Sequence, residues 1–186
     1  MLGSRLGKEI DQMECVLRMN QAPTSGYEED VGTKSSIRVV SHTSIPLLLR
    51  NQSYFFKQSR DTIYVIWGPM KKMSREKVGM TYRTLREVKE MYPSLQIYTL
   101  TERMMAYCDE VFQNETGRNR EKNLPTVPYH YFEKGKMDEC RMYLTHERAH
   151  RGGHRFITEK AVFSNWAKRR KIVFTHPSWA GRIPAT

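Results

Sequence analysis

Apolar positions along this chain fall into short blocks that switch between a period near two and a period near 3.6. Leu2, Leu6 and Ile10 recur at helical spacing, although Gly3 and Gly7 each weaken that helix by about 1 kcal/mol. Cys15, Leu17 and Met19 alternate with more polar neighbours, which predicts a strand closed by the turn-rich stretch NQAPTSG. SIRVVSH and TIYVIWG are β-branched runs ended by polar residues or glycine, and both predict strands. Tyr82, Leu85, Val88 and Tyr92 mark a helix that Pro93 stops. LQIYTLT predicts a further strand, and Thr101 is placed to cap the next helix. In that helix Met104, Tyr107, Cys108, Val111 and Phe112 form one apolar face.

The pattern then fails. QNETGRNREKNLPTVP, residues 113–128, is polar and without period, and a structureless stretch of that length inside a compact domain is uncommon. Beyond it, Met137 to about Arg148 predicts a helix. Thr158 is the expected N-cap of another, with Ile157 and Val162 as a hydrophobic staple. Val162, Phe163, Trp166 and Ala167 supply the expected buried face of that helix, and KIVFTH predicts a closing strand. Helices alternating with strands predict an α/β layered fold with a largely parallel sheet. The length of 186 residues suits a single domain, 1–186.

Composition narrows the classes. A hydrophobic content of 39% with 11% aromatics suffices for a core and excludes a disordered tail or a coiled coil. No run of apolar residues reaches membrane-spanning length and no basic-then-apolar leader follows Met1, so neither a span nor an export signal is expected in the chain as given. The net charge of +11 suits an anionic partner. Its densest run, Lys168-Arg169-Arg170-Lys171, sits at a predicted helix end, where cations favour the negative dipole pole. Aromatic residues are not interleaved with the basic ones, which argues against a nucleic-acid stacking platform. Cys15, Cys108 and Cys140 form an odd set without CxxC spacing, excluding a dense disulfide framework. Asn51-Gln-Ser53 and Asn114-Glu-Thr116 are glycosylation sequons, a weak pointer to a secretory compartment.

Candidate chemistry concentrates in THERAHRGGHRFITEK, residues 145–160. His146-Glu147-x-x-His150 has the spacing that lets two histidines on one helix face hold zinc while the glutamate activates water. Against it, Arg148 adds positive charge, Arg151-Gly152-Gly153 breaks the helix, and Phe156 stands where an extended motif needs a third histidine. Glu147 has an ordinary alternative as an exposed helical residue beside Arg151. His154 offers a different chemistry. It lies in a glycine-flanked loop before a capped helix, whose N–H groups and dipole disfavour a protonated ring, leaving it neutral and able to accept a proton. Glu159, in the first turn, is favourable there on dipole grounds alone. A satisfied loop histidine is the plain alternative.

HRFITEKAVFSNWAKRRKIVFTHPSW resembles the C-terminus of the animal sialyltransferases, in particular the subgroup adding sialic acid in α2,6 linkage to N-acetylgalactosamine. His154…Glu159 matches that family's His-x4-Glu motif. YHYFE, Tyr129 to Glu133, looks like its His-Tyr-aromatic-acid motif, and Arg18 to Pro23 matches the Arg-x-Asn-x-Ala-Pro part of its large motif. Within the subgroup the resemblance is greatest to the enzymes that make α-series gangliosides. It implies a Rossmann-like fold (a GT-A variant), a Golgi location and a single-step inverting transfer from CMP-sialic acid without a metal. It implies His154 as general base, His130 on the phosphate of departing CMP, Asn20 on the nucleotide and Tyr131 lining the donor pocket. Glu159 and Glu133 would support the two histidines. The donor is a nucleotide sugar, the acceptor a glycolipid or glycoprotein, and the anionic donor suits the basic surplus.

Two parts of the family pattern lack counterparts. The strand and small-residue loop that open the large motif would precede Met1. The small sialylmotif, with the cysteine that normally pairs with the one at Cys15, would fall near residues 123–125. Cys15 is therefore expected to be a free thiol unless Cys108 or Cys140 substitutes. Without an anchor, cytoplasmic retention is open to the chain. Losing one strand and its helix removes about five large apolar side chains at ~1.5–3 kcal/mol each, roughly 10 kcal/mol against a domain stability of ~5–15 kcal/mol. The expectation is an incomplete fold and weak or no transfer. The rival expectations are a non-catalytic binding form, a zinc hydrolase and a basic nucleic-acid binder.

Overall fold

Four of the predicted strand segments form one parallel sheet. The computed structural model describes residues 2–59, 61–117, 130–133, 139–148 and 154–167. Internal contacts divide the chain into two compact units, Leu2–Ala106 and Tyr107–Thr186; each is described by itself.

The first unit carries the sheet. Its strands are β1 (Leu17–Met19), β2 (Ile37–Ser41), β3 (Ile63–Trp67) and β4 (Gln96–Thr99), all parallel in the order β1-β2-β3-β4. Between them lie α1 (Gly7–Asp11), α2 (Glu28–Val31), α3 (Ile45–Leu49), a π-helical turn over Ser53–Gln58, α4 (Met70–Met73) and α5 (Met80–Met91). This is the expected α/β architecture with an all-parallel, Rossmann-like sheet. Val40, Tyr64 and Ile66 on one sheet face pack with Ile45 and Leu48 of α3, Phe55 and Phe56 of the π turn, and Val88 of α5. On the opposite face the rows Leu17–Ile37–Ile63 and Met19–Val39–Val65–Tyr98 run across the strands, with Leu17, Met19 and Tyr98 each about half exposed.

Several expectations shift in detail. The helix over Leu2, Leu6 and Ile10 is confined to α1, with Leu2 exposed. β1 alternates as expected but in the opposite sense, because Val16 and Arg18 are buried while Cys15, Leu17 and Met19 are exposed. Arg18 turns inward because carbonyls there need donors: its Nη2 donates to Val31 O at 2.7 Å and its Nε to Lys34 O at 3.0 Å. The helix stopped by Pro93 forms as α5, and Thr101 caps α6 (Glu102–Thr116), its Oγ1 accepting from Met104 N–H at 3.3 Å. α6 runs through residues 113–116, which the polar composition had suggested were irregular. Its expected buried face is open at Met104, Tyr107 and Cys108, and Met105 is the residue buried. Periodicity shows which side of a helix is apolar; it does not supply a neighbour to cover it.

The second unit contains α7 (Glu139–Arg148) and α8 (Phe156–Ala167). α8 starts two residues before Thr158, and its expected buried face is only partly buried: Phe163 is 42% exposed, Val162, Trp166 and Ala167 are partly covered, and no residue of the helix is fully buried. KIVFTH, the Lys168–Lys171 run, residues 118–129 and His150 lie outside the described residues.

Candidate functional site

In the sheet unit, the carboxyl ends of the parallel strands gather the polar side chains. Asn20 follows β1 with a left-handed backbone, φ 48°, a conformation asparagine tolerates better than most residues. Its N–H donates to Val39 O at 2.8 Å, and its side-chain Oδ1 accepts from Ser41 N–H at 2.9 Å. The amide is thus tied to the end of β2 through its oxygen. Arg38, fully buried on β2, donates through Nη1 to Asn20 O at 2.7 Å and Ala22 O at 3.0 Å, and its guanidinium lies 5.0 Å from the Phe55 ring centre. Buried arginine therefore shapes the loop that presents Asn20. The residue after β2, His42, donates its N–H to Trp67 O at 2.8 Å. Its ring lies 3.5 Å from Lys72 Nζ through Nε2, and burial, then the Lys72 charge, pushes the imidazole below its ordinary range.

The second unit holds both candidate histidines, each beside a glutamate close in sequence. Glu133 Oε2 accepts from His130 N–H at 3.0 Å, and Glu133 Oε1 lies 3.0 Å from His130 Nδ1. The His130 ring stacks on Phe132 at 4.8 Å, and Tyr131 meets the edge of the same ring at 5.2 Å. The four residues make a turn, with Glu133 N–H donating to His130 O at 3.1 Å. His154 stands just before α8, 41% exposed, its Nδ1 3.6 Å from Glu159 Oε1, stacked on Phe156 at 5.4 Å. Glu159 also accepts from Arg155 N–H at 3.1 Å while its own N–H donates to Arg155 O at 2.7 Å, closing the first turn of the helix reciprocally. Burial raises the Glu159 carboxyl, but the neighbouring His154 and the Arg155 N–H outweigh it, so its pKa lies below the usual value. In each pair a glutamate oxygen lies on the Nδ1 side of the ring.

The zinc-type residues are differently employed. His146 is fully buried, edge-on to Phe156 at 5.1 Å. Glu147 is half-buried rather than exposed: its Oε2 accepts from Thr158 N–H at 3.3 Å, its Oε1 from Thr158 Oγ1, and its carbonyl from Arg155 Nη1. The carboxylate therefore satisfies an N–H of the first turn of α8, the work the sequence assigned to a Thr158 cap. Among the described residues no group of three or more His, Cys, Asp or Glu side chains is placed to hold a metal ion. Replacing Glu147 by alanine should lower stability by about 1–3 kcal/mol, because Thr158 loses its acceptor. Chemical denaturation measures it; an unchanged midpoint would remove Glu147 from this structural role.

Cys15, Cys108 and Cys140 are exposed free thiols. Asn51 and Asn114 are exposed, the former with its Oδ1 accepting weakly from Tyr54 N–H at 3.4 Å. No described helix is long and apolar enough to cross a membrane. Sequence reasoning missed Arg38, His42, Lys72 and the task of Glu147. A lone arginine inside the apolar run SIRVVSH was the signal for the first; the others depend on contacts distant in sequence.

A model of glycosyltransferase family 29 (sialyltransferase) matches residues 1–127. The human alpha-N-acetyl-neuraminyl-2,3-beta-galactosyl-1,3-N-acetyl-galactosaminide alpha-2,6-sialyltransferase is 56% identical over 215 residues, covering 96% of this chain and 71% of the relative. Its mouse counterpart is 55% identical, covering 98% and 61%. The rat alpha-N-acetylgalactosaminide alpha-2,6-sialyltransferase 3 is 48% identical, covering 96% and 70%. The first alignment has 215 positions against 186 residues here, so that relative carries internal residues with no counterpart in this chain.

Proposed function

This chain belongs to glycosyltransferase family 29, the sialyltransferases, and from that premise we propose that it transfers sialic acid from CMP-sialic acid in α2,6 linkage to N-acetylgalactosamine of ganglioside or O-glycan acceptors. One observation carries the reading: a partly exposed imidazole, His154, whose Nδ1 lies 3.6 Å from Glu159 at the head of α8. With the Nδ1 side turned to the carboxylate, Nε2 carries the lone pair and accepts the proton of the acceptor hydroxyl. The acceptor oxygen bonds to the anomeric carbon from the face opposite the nucleotide. The bond from that carbon to the phosphate oxygen breaks, and CMP leaves with the electron pair. His130, oriented by Glu133 and Phe132, donates to the phosphate as its charge grows. The Asn20 amide contacts the nucleotide, and Tyr131 lines the donor pocket. The chemistry uses no metal, and the Golgi is the expected location.

A second reading keeps the family and removes turnover. It is favoured by the internal residues of the human relative that have no counterpart here, and by the half-exposed apolar residues Leu17, Met19 and Tyr98 on one sheet face. Melting curves with and without CMP separate the two. A competent donor pocket at 100 Kd of CMP gains about 2.7 kcal/mol, a rise of about 5 °C or more for a chain of this size. An unchanged melting temperature at millimolar CMP would leave only the second reading standing.

A further inference from the structure

The β3–α4 loop brings a cation to the carboxyl edge of the sheet without giving it an acidic partner. Lys72, on α4, is exposed, and among the described residues no carboxylate lies within ion-pair distance of its Nζ. Among the described residues Nζ meets His42 Nε2, at 3.5 Å. His42 is itself built in. Its backbone is bonded to Trp67, and its Nδ1 is buried with no hydrogen-bond partner. The ring lies against Gly68, where an added Cβ would come within 2.7 Å of Nδ1. Gly79 does the same for the lysine's backbone: a Cβ there would meet Lys72 O at 2.2 Å. Two glycines thus permit close approaches that seat this Lys–His pair.

Chemistry specifies the ligand. The neutral ring accepts from the ammonium, which keeps its charge and its other N–H donors for an external anion. Ser41 Oγ and Thr43 Oγ1, 2.9 Å apart at the same strand end, add hydroxyl donors. Ligands of open α/β sheets bind at the carboxyl ends of the strands. Lys71 on α4 and Arg75 and Lys77 between α4 and α5 outnumber the one acid there, Glu76, and reinforce the positive field.

We propose that Lys72, braced by His42, binds the carboxylate of a sialic acid. The inference rests on the sialyltransferase reading, in which that carboxylate has two sources: the donor, or an acceptor that already carries sialic acid. Lys72 is then a specificity-determining residue. A single charge-assisted contact distinguishes sialylated from neutral glycans, while the nucleotide is held elsewhere.

Calorimetric titrations of the full chain with CMP, CMP-sialic acid, an α2,3-sialylated galactosyl-N-acetylgalactosamine and its asialo form test this. Lys72→Met is expected to weaken a sialic-acid ligand about tenfold, leave CMP unchanged, and leave the melting curve intact. Lys72→Arg, which keeps the charge, is expected to retain most of the affinity. Loss confined to CMP-sialic acid assigns the carboxylate to the donor; loss confined to the sialylated glycan assigns it to the acceptor. Equal loss for CMP would make the anion a phosphate and overturn the proposal, as would no change for any ligand or an equal loss for the asialo glycan. Should wild type fail to bind CMP, the transfer reading falls while membership of the family stands. Lys72-dependent binding of the sialylated glycan would still support the carboxylate site, and its absence would sink that too.

Discussion

Replacing His154 by alanine lowers sialyl transfer about a hundredfold to ten-thousandfold, the range general-base groups contribute, and leaves CMP affinity unchanged. The ring is 41% exposed and held by contacts with Glu159 and Phe156, so its removal takes away a proton acceptor and little packing. Wild-type transfer is itself expected to be slow, so the comparison calls for radiolabelled CMP-sialic acid and long incubations. Glu159→Gln gives the discriminating second variant. It keeps a side-chain acceptor for the Arg155 N–H bonded to it at 3.1 Å but removes the charge beside Nδ1, so kcat falls while stability changes little. Equal rates in His154→Ala and wild type would end the general-base assignment.

The largest effect on stability is expected from Arg38→Leu. That side chain is 2% exposed and donates to Asn20 O and Ala22 O. Leucine fills part of the volume but leaves two carbonyls without their donor. The expected loss is about 2–5 kcal/mol, a large share of a domain stability of ~5–15 kcal/mol. Because the same bonds shape the turn at Asn20, CMP affinity falls with it. Denaturant unfolding gives the first quantity and calorimetry the second. A variant with unchanged stability and weakened CMP binding would show that Arg38 acts on the turn alone.

His154 and Glu159 are singled out by their place before and in the first turn of a helix, whereas His130, Glu133 and Asn20 come from the family resemblance; the structure sets each histidine beside its neighbouring glutamate and ties Asn20 to the end of β2. Each His–Glu pair lies within five residues in the chain, so a turn or the first coil of a helix suffices to bring the two together. The same locality explains why β2, β3, β4 and α5 were found near their predicted places. A run of β-branched residues, or apolar residues on a 3.6 period with a proline stop, carries its own conformational preference.

Other properties are not local. That Arg18 and Arg38, paired across β1 and β2, take the inward positions of their strands follows from carbonyls on distant loops that accept from them. That Glu147 braces α8 rather than activating water follows from where Thr158 comes to rest. That His42 and Lys72, thirty positions apart, form one pair follows from the parallel register of β2 and β3. The order of amino acids by itself determined β2, β3, β4, α5, the family and which histidines have a glutamate nearby, because short-range preferences and motif spacing are written in adjacent residues. Only the tertiary structure decided which polar groups are buried, what each one bonds and which edge of the sheet is positive, because a buried donor must find its acceptor wherever the chain has brought one.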